Sequence, residues 1–277
     1  MKRLLKNINA ALKCWRQAAA LYFKKALSAV LPITAIMVIA QLAGVWISLR
    51  AAEKLNWQTS SYDYATGNST LVLWGPRLEE LMSRGAWYPL SAAGYCLILL
   101  TLAVTPMRIA GGNKLGGTFR RMPVGGCAAA FGSIVSGFAL AVFYWAAELG
   151  TLFGSELMYR LIVPAQTQIP KPAMIALLRW DVLNGLFPAS RLWLAPLLLA
   201  VILMQVISVV CAGWNLAEGR ESSRLEFAAV FLIILGSAFN YQITLYPLER
   251  WYFWGLPAAG ALLWLRALIK QQNEPLF

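Results

Sequence analysis

Between Lys25 and Arg50 the chain carries no charged residue, and the same is true of Met122–Ala147. An apolar helix of about 20 residues crosses a bilayer core of about 30 Å, so each stretch predicts a membrane span. Three more uncharged stretches and a last one broken only by Arg266, which can snorkel, follow the same pattern. The expected spans are 26–49, 86–107, 123–147, 192–214, 227–247 and 251–269. The fold class expected is all-α: a polytopic membrane helix bundle with six transmembrane helices within residues 26–270. A basic helix (1–25) precedes the bundle and a short tail (271–277) follows it.

The period changes at the N-terminus. Leu4, Leu5, Ile8, Leu12, Trp15, Ala19 and Tyr22 fall in one sector at 100° per residue, the mark of an amphipathic helix. Lys2, Arg3, Lys6, Lys13 and Lys24 occupy the opposite half, with Arg16 at its margin and no acid among them. This predicts a helix lying in the headgroup plane, with Trp15 and Tyr22 at the boundary. Two longer segments, 50–85 and 148–191, are expected on the external side with short amphipathic helices of their own, those of 148–191 on the outer surface or re-entrant over the bundle. One follows Gly75–Pro76, with Leu78, Leu81 and Met82 on one side. Two more carry Leu149, Phe153, Leu157 and Leu161, then Met174, Ile175, Leu178 and Val182.

The third span holds the packing signal. Ala129, Ser133, Gly137 and Ala141 recur every fourth residue, and Ala128, Gly132, Ser136 and Leu140 form a second row beside them. Small rows let helix backbones approach closely, which matters in lipid because apolar tails supply little drive for association. The rows therefore read as a seam within this chain, with a homodimer seam as the alternative. Gln41 is the most polar member of the first span, and Gln205, Thr101, Ser133 and Ser136, the polar groups nearest mid-depth, read as interhelical hydrogen-bond partners. No expected span holds an acid or base at mid-depth, which argues against ion-coupled transport. Glu148, Glu156, Asp181 and Glu249 fall in the external segments, near Arg160, Arg179, Arg191 and Arg250, as interface-level ion pairs.

Composition agrees with a membrane domain: 59% of residues are hydrophobic and 13% charged, with mean hydropathy +0.60. The net charge of +12 is concentrated beside the spans, where anionic lipid explains it better than nucleic acid does. With both termini on one side, that side holds 15 of the 24 Lys and Arg but 4 of the 12 acids. Positive residues mark the cytoplasmic face, so both termini are expected in the cytoplasm of a bacterial cell, in its inner membrane. The glycine-rich loop after span two, with Lys114, Arg120 and Arg121, would lie on the same side. It lacks the order of a phosphate-cradling P-loop.

Histidine is absent, which removes Ser–His and Cys–His catalysis and every histidine metal site. The four cysteines, Cys14, Cys96, Cys127 and Cys211, are far apart and read as free thiols. Asn68-Ser69-Thr70 reads as a chance sequon. No enzyme activity, cofactor or metal is expected. The leading expectation is a protein that works by binding, as a membrane subunit or accessory factor of a transport, secretion or envelope-assembly complex. Lys6, Lys13, Arg16, Lys114, Arg120 and Arg121 would then meet anionic headgroups and a protein partner or a second copy. The alternative is a permease or lipid-handling transporter with its path near Gln41, Ser136 and Gln205.

Overall fold

The computed structural model describes residues 2–53, 59–62, 69–72, 76–110, 125–180, 183, 187 and 195–217. Side chains at 2–11, 13, 14, 59–62, 69–72, 125–129, 166, 197, 215 and 216 are not among those described. The basic loop 111–124, spans five and six and the tail 271–277 fall outside the described residues.

Helices dominate: α1 (Lys2–Glu53), α2 (Leu78–Arg84), α3 (Trp87–Ala110), α4 (Gly125–Ile162), α5 (Pro172–Arg179) and α6 (Ala195–Ala217). A small antiparallel ribbon interrupts them, β1 (Thr59–Tyr62) paired with β2 (Ser69–Val72) in the register Thr59 to Val72 and Tyr62 to Ser69. The segment 50–85, read as a loop ending in one short helix, therefore contains strands as well. Among the described residues three helices are long and apolar enough to cross a membrane: Trp15–Glu53, Trp87–Ala110 and Ala130–Ile162. The chain is thus an α-helical protein of membrane character.

Two boundaries differ from the sequence expectation. The helix does not break at residue 25, because α1 continues from the basic segment straight into the first apolar stretch. Nor does α4 stop at residue 147, where the first acid ended the expected span; it runs on to Ile162. Backbone hydrogen bonding continues past a charge whenever that charge has a place to go, and a hydropathy boundary cannot register this.

The chain divides into two compact units, and α1, α3 and α4 contribute to both. The first comprises Met1–Ile33, Gly94–Tyr144 and Trp193–Phe277, the second Thr34–Ala93 and Trp145–Leu192. In the first unit the small rows of α4 do two jobs. A methyl on Gly137 would lie 3.0 Å from Val206 and 3.4 Å from Val210 of α6, whereas one on Gly132 would lie 3.0 Å from backbone atoms of Trp15 and Ala19 on α1. Hydrogen bonds lock both contacts: Trp214 Nε1 donates to Ser133 Oγ at 3.2 Å, and Ser136 Oγ donates to the Ala19 carbonyl at 3.0 Å. Tyr95 meets Gln205 while a methyl on Gly213 would collide with the Ala103 carbonyl, so α3 and α6 run the same way. The pairs Leu102–Gly137 and Tyr95–Tyr144 make α3 and α4 antiparallel.

Of the apolar sector of the N-terminal helix, protein covers the C-terminal part in this unit, whereas Leu12 stays exposed. Tyr22 is fully buried and its hydroxyl donates to the Leu102 carbonyl at 2.8 Å, while the Trp15 ring packs 6.0 Å from that of Phe131. A helical period identifies residues that share a face and is silent about what covers them.

In the second unit, Gly44 of α1 and Gly85 at the end of α2 meet backbone to backbone, since a methyl on either would overlap the other's main chain. Leu78, Leu81 and Met82 bury the inner side of α2, which packs against α5. Trp87 is fully buried, its ring 5.7 Å from that of Trp180.

Candidate functional site

The second unit contains the one buried charged residue among those described, Glu148. It sits on α4 at 2% exposure, and Gln41 of α1 is at 0%. Gln41 Nε2 donates to both carboxylate oxygens, at 3.1 Å and 2.9 Å. The acid read as external at the sequence level is therefore enclosed by protein within a membrane-compatible helix. A charge at mid-bilayer costs about 2.5–3.5 kcal/mol on insertion scales. A hydrogen bond to a charged group returns about 1.5–3 kcal/mol. The amide thus offsets an expense of comparable size.

The pair is fixed from both sides. One turn along α4, Thr151 Oγ1 donates to the Glu148 carbonyl at 2.7 Å and accepts Trp87 Nε1 at 3.3 Å. Ser155 Oγ then donates to the Thr151 carbonyl at 2.7 Å. On α1, Leu42 packs a methyl 3.1 Å from where a Cβ on Gly154 would stand. One polar atom is left over: Gln41 Oε1 is buried and receives no hydrogen bond. Buried acceptors are normally satisfied, so a leftover one adjoining a carboxylate marks a place with unused binding capacity.

The outward face of this part of α4 has the opposite character. Phe153, Leu157 and Leu161 are 55%, 61% and 77% exposed, while Glu148, Thr151, Ser155 and Tyr159 face inward. Polar inside and apolar outside is the arrangement that suits a lipid-facing helix. The apolar stripe that the spacing predicts at Leu149, Phe153, Leu157 and Leu161 thus faces away from the protein at its last three positions. Likewise α5 buries Ala173, Ala176 and Leu177 and exposes Met174 and Leu178.

The other positions singled out from the sequence are placed as follows. Gln205 is buried in the first unit and accepts the Tyr95 hydroxyl at 2.5 Å. Ser133 and Gly137 line the contacts of α4 already described, Ala141 is buried, and the side chain of Ala129 is not among those described. Arg16 is exposed on α1, whereas the side chains of Lys6 and Lys13 and all of Lys114, Arg120 and Arg121 lie outside the described residues. Glu156 pairs with Arg160, four residues along the same helix and partly exposed. The inward polar set Glu148, Thr151 and Ser155 escaped the sequence reading, although its spacing of three and four residues is the signal that reveals it.

No known protein family, curated protein or solved structure matches this chain.

Proposed function

We propose that the protein is a carrier of the permease or lipid-handling class, a six-span protein of the bacterial inner membrane with both termini in the cytoplasm. The observation that carries this reading is the enclosed Gln41–Glu148 pair on two membrane-compatible helices. Intramembrane carboxylates are expensive and persist where they handle a substrate or an ion. The test is flux through purified protein in liposomes, offered amino acids, sugars, organic cations and a fluorescent phospholipid in turn. Movement of one of them should be lost in Glu148→Gln and kept in Trp46→Leu, an exposed position on the same α1 helix. Equal flux in wild type and Glu148→Gln overturns the reading.

A second reading is a membrane subunit or accessory factor that works by binding. It is favoured by α1, the least covered of the three long apolar helices, with Leu31, Ile36, Ile39 and Ile47 exposed. Arg16, Lys24 and Lys25 are exposed on the same helix. Extraction in mild detergent followed by affinity capture tests it. A recurrent partner in fixed proportion supports it, and a chain that is always alone and monomeric removes it.

A further inference from the structure

We propose that Gln41 and Glu148 form a proton-binding site, and that the proton is the ion to which this protein's movements are coupled. The proposal rests on the carrier reading for its coupling clause and on the geometry of the pair alone for the site. In the arrangement described, one amide nitrogen forks onto two carboxylate oxygens while the amide oxygen accepts nothing. That is the pattern of an ionised carboxylate facing a donor. Adding a proton from water to one Glu148 oxygen forms an O–H bond and changes nothing else covalently. Turning the amide about its last torsion then lets the new O–H donate to Gln41 Oε1 while Nε2 keeps the other carboxyl oxygen. The carboxylic acid and the amide become a cyclic pair with two hydrogen bonds, and the acceptor left over in the ionised form is used. Both states are hydrogen-bonded, and only one is charged. Such a pair suits a group that must be neutral at one stage of a cycle and ionised at another.

The surroundings favour a proton over a metal cation. Hard cations take about six oxygen ligands, and the pair offers the two oxygens of Glu148 and one of Gln41. The hydroxyl three residues along α4, Thr151 Oγ1, is engaged by Trp87 Nε1 and by its own helix. Among the described residues no group of three or more His, Cys, Asp or Glu side chains comes together. Among the described residues, the other charged side chains of this unit stay out of the interior. On α1, Arg50 and Glu53 pair with each other; Arg77, Glu79, Glu80 and Arg84 flank or belong to α2; Glu156 and Arg160 pair on α4. Lys171 and Arg179 are exposed at α5, and none of these ten is buried. Of the tyrosines, Tyr88 is half-buried at the start of α3, and buried Tyr159 accepts the Ile169 N–H at 3.3 Å.

The experiment is infrared difference spectroscopy of the full-length protein in lipid, stepped from mildly acidic to mildly alkaline pH. A protonated-carboxyl C=O band should titrate reversibly in wild type, vanish in Glu148→Gln and shift its midpoint in Gln41→Leu. Glu148→Asp, which keeps a carboxyl, should retain a displaced band and covers the case in which Glu148→Gln does not fold. The inference is overturned if no band titrates, if the band survives in folded Glu148→Gln, or if sodium at fixed pH removes it. A titrating band without solute-linked flux leaves the site standing and removes the carrier reading. Flux that depends on Glu148 without a titrating band does the reverse.

Discussion

A single amide nitrogen of Gln41 spans both oxygens of Glu148, joining α1 to α4 across 107 residues of sequence. Removing Gln41 takes a donor from an enclosed charge, whereas removing both members leaves an apolar contact. Gln41→Leu should cost about 1.5–3 kcal/mol. The double change to leucine should cost less than the sum of the two single changes. Unfolding of the four proteins in mixed micelles measures the coupling.

The contact of Gly44 with Gly85 predicts a sharp contrast among glycines. Gly44→Ala or Gly85→Ala inserts a methyl into opposing main chain, which cannot rotate away, and should destabilise by about 1–3 kcal/mol. Gly150 sits in α4 with nothing within 4 Å of its missing Cβ, so Gly150→Ala should be neutral or stabilise by up to about 1 kcal/mol. Melting temperatures of the three variants decide this.

The two small rows of α4 face helices of their own chain. Gly132→Leu should therefore force α1 away, and Gly137→Leu should force α6 away. Both should lower the unfolding temperature with no change in the mass of the detergent-solubilised particle. A shift in oligomeric state at unchanged stability would show that the rows serve contacts between copies instead.

Tyr95 and Gln205 form the corresponding polar clamp of the first unit. Tyr95→Phe and Gln205→Leu should each cost about 0.6 kcal/mol, with about 1.7 as the ceiling seen for such bonds in membranes. The double variant should cost scarcely more than either alone. Flux through Gln205→Leu should scale with the amount of folded protein.

The outward stripe of Phe153, Leu157 and Leu161 gives a test of lipid exposure. Leu157→Arg should raise the cost of membrane insertion, by about 2.5–3.5 kcal/mol if the position sits at mid-bilayer. A glycosylation-based insertion assay reads that shift. In contact with water the same change would be neutral.

Much of this was legible in the residues themselves. The every-fourth-residue rows on α4 pointed to close packing, and Leu78, Leu81 and Met82 marked the buried side of α2. Gln41 stood out as the polar member of an apolar run. What the sequence concealed was direction. The pattern at 149, 153, 157 and 161 states that four apolar residues share a face, and it has the same form whether that face meets protein or lipid. The role of Glu148 was hidden by the rule that ended a span at the first charge, since the residue that accommodates it lies on a different helix. The ribbon of β1 and β2 went unread because four-residue strands rich in Ser and Thr offer no apolar alternation to detect.

The greasy exterior of α4 is longer than one crossing needs. From Ala130 to Ile162 it runs 33 residues, roughly 50 Å at about 1.5 Å per residue. Even leaning by about 40°, near the steep limit for such helices, a rod spends only about 39 Å in a hydrocarbon layer about 30 Å thick. About seven residues must then emerge, so the length of the surrounding acyl chains sets how far along α4 the oil ends. Reconstitution in longer-chain lipids should draw more of this helix under cover, which makes membrane thickness a control on how the protein stands.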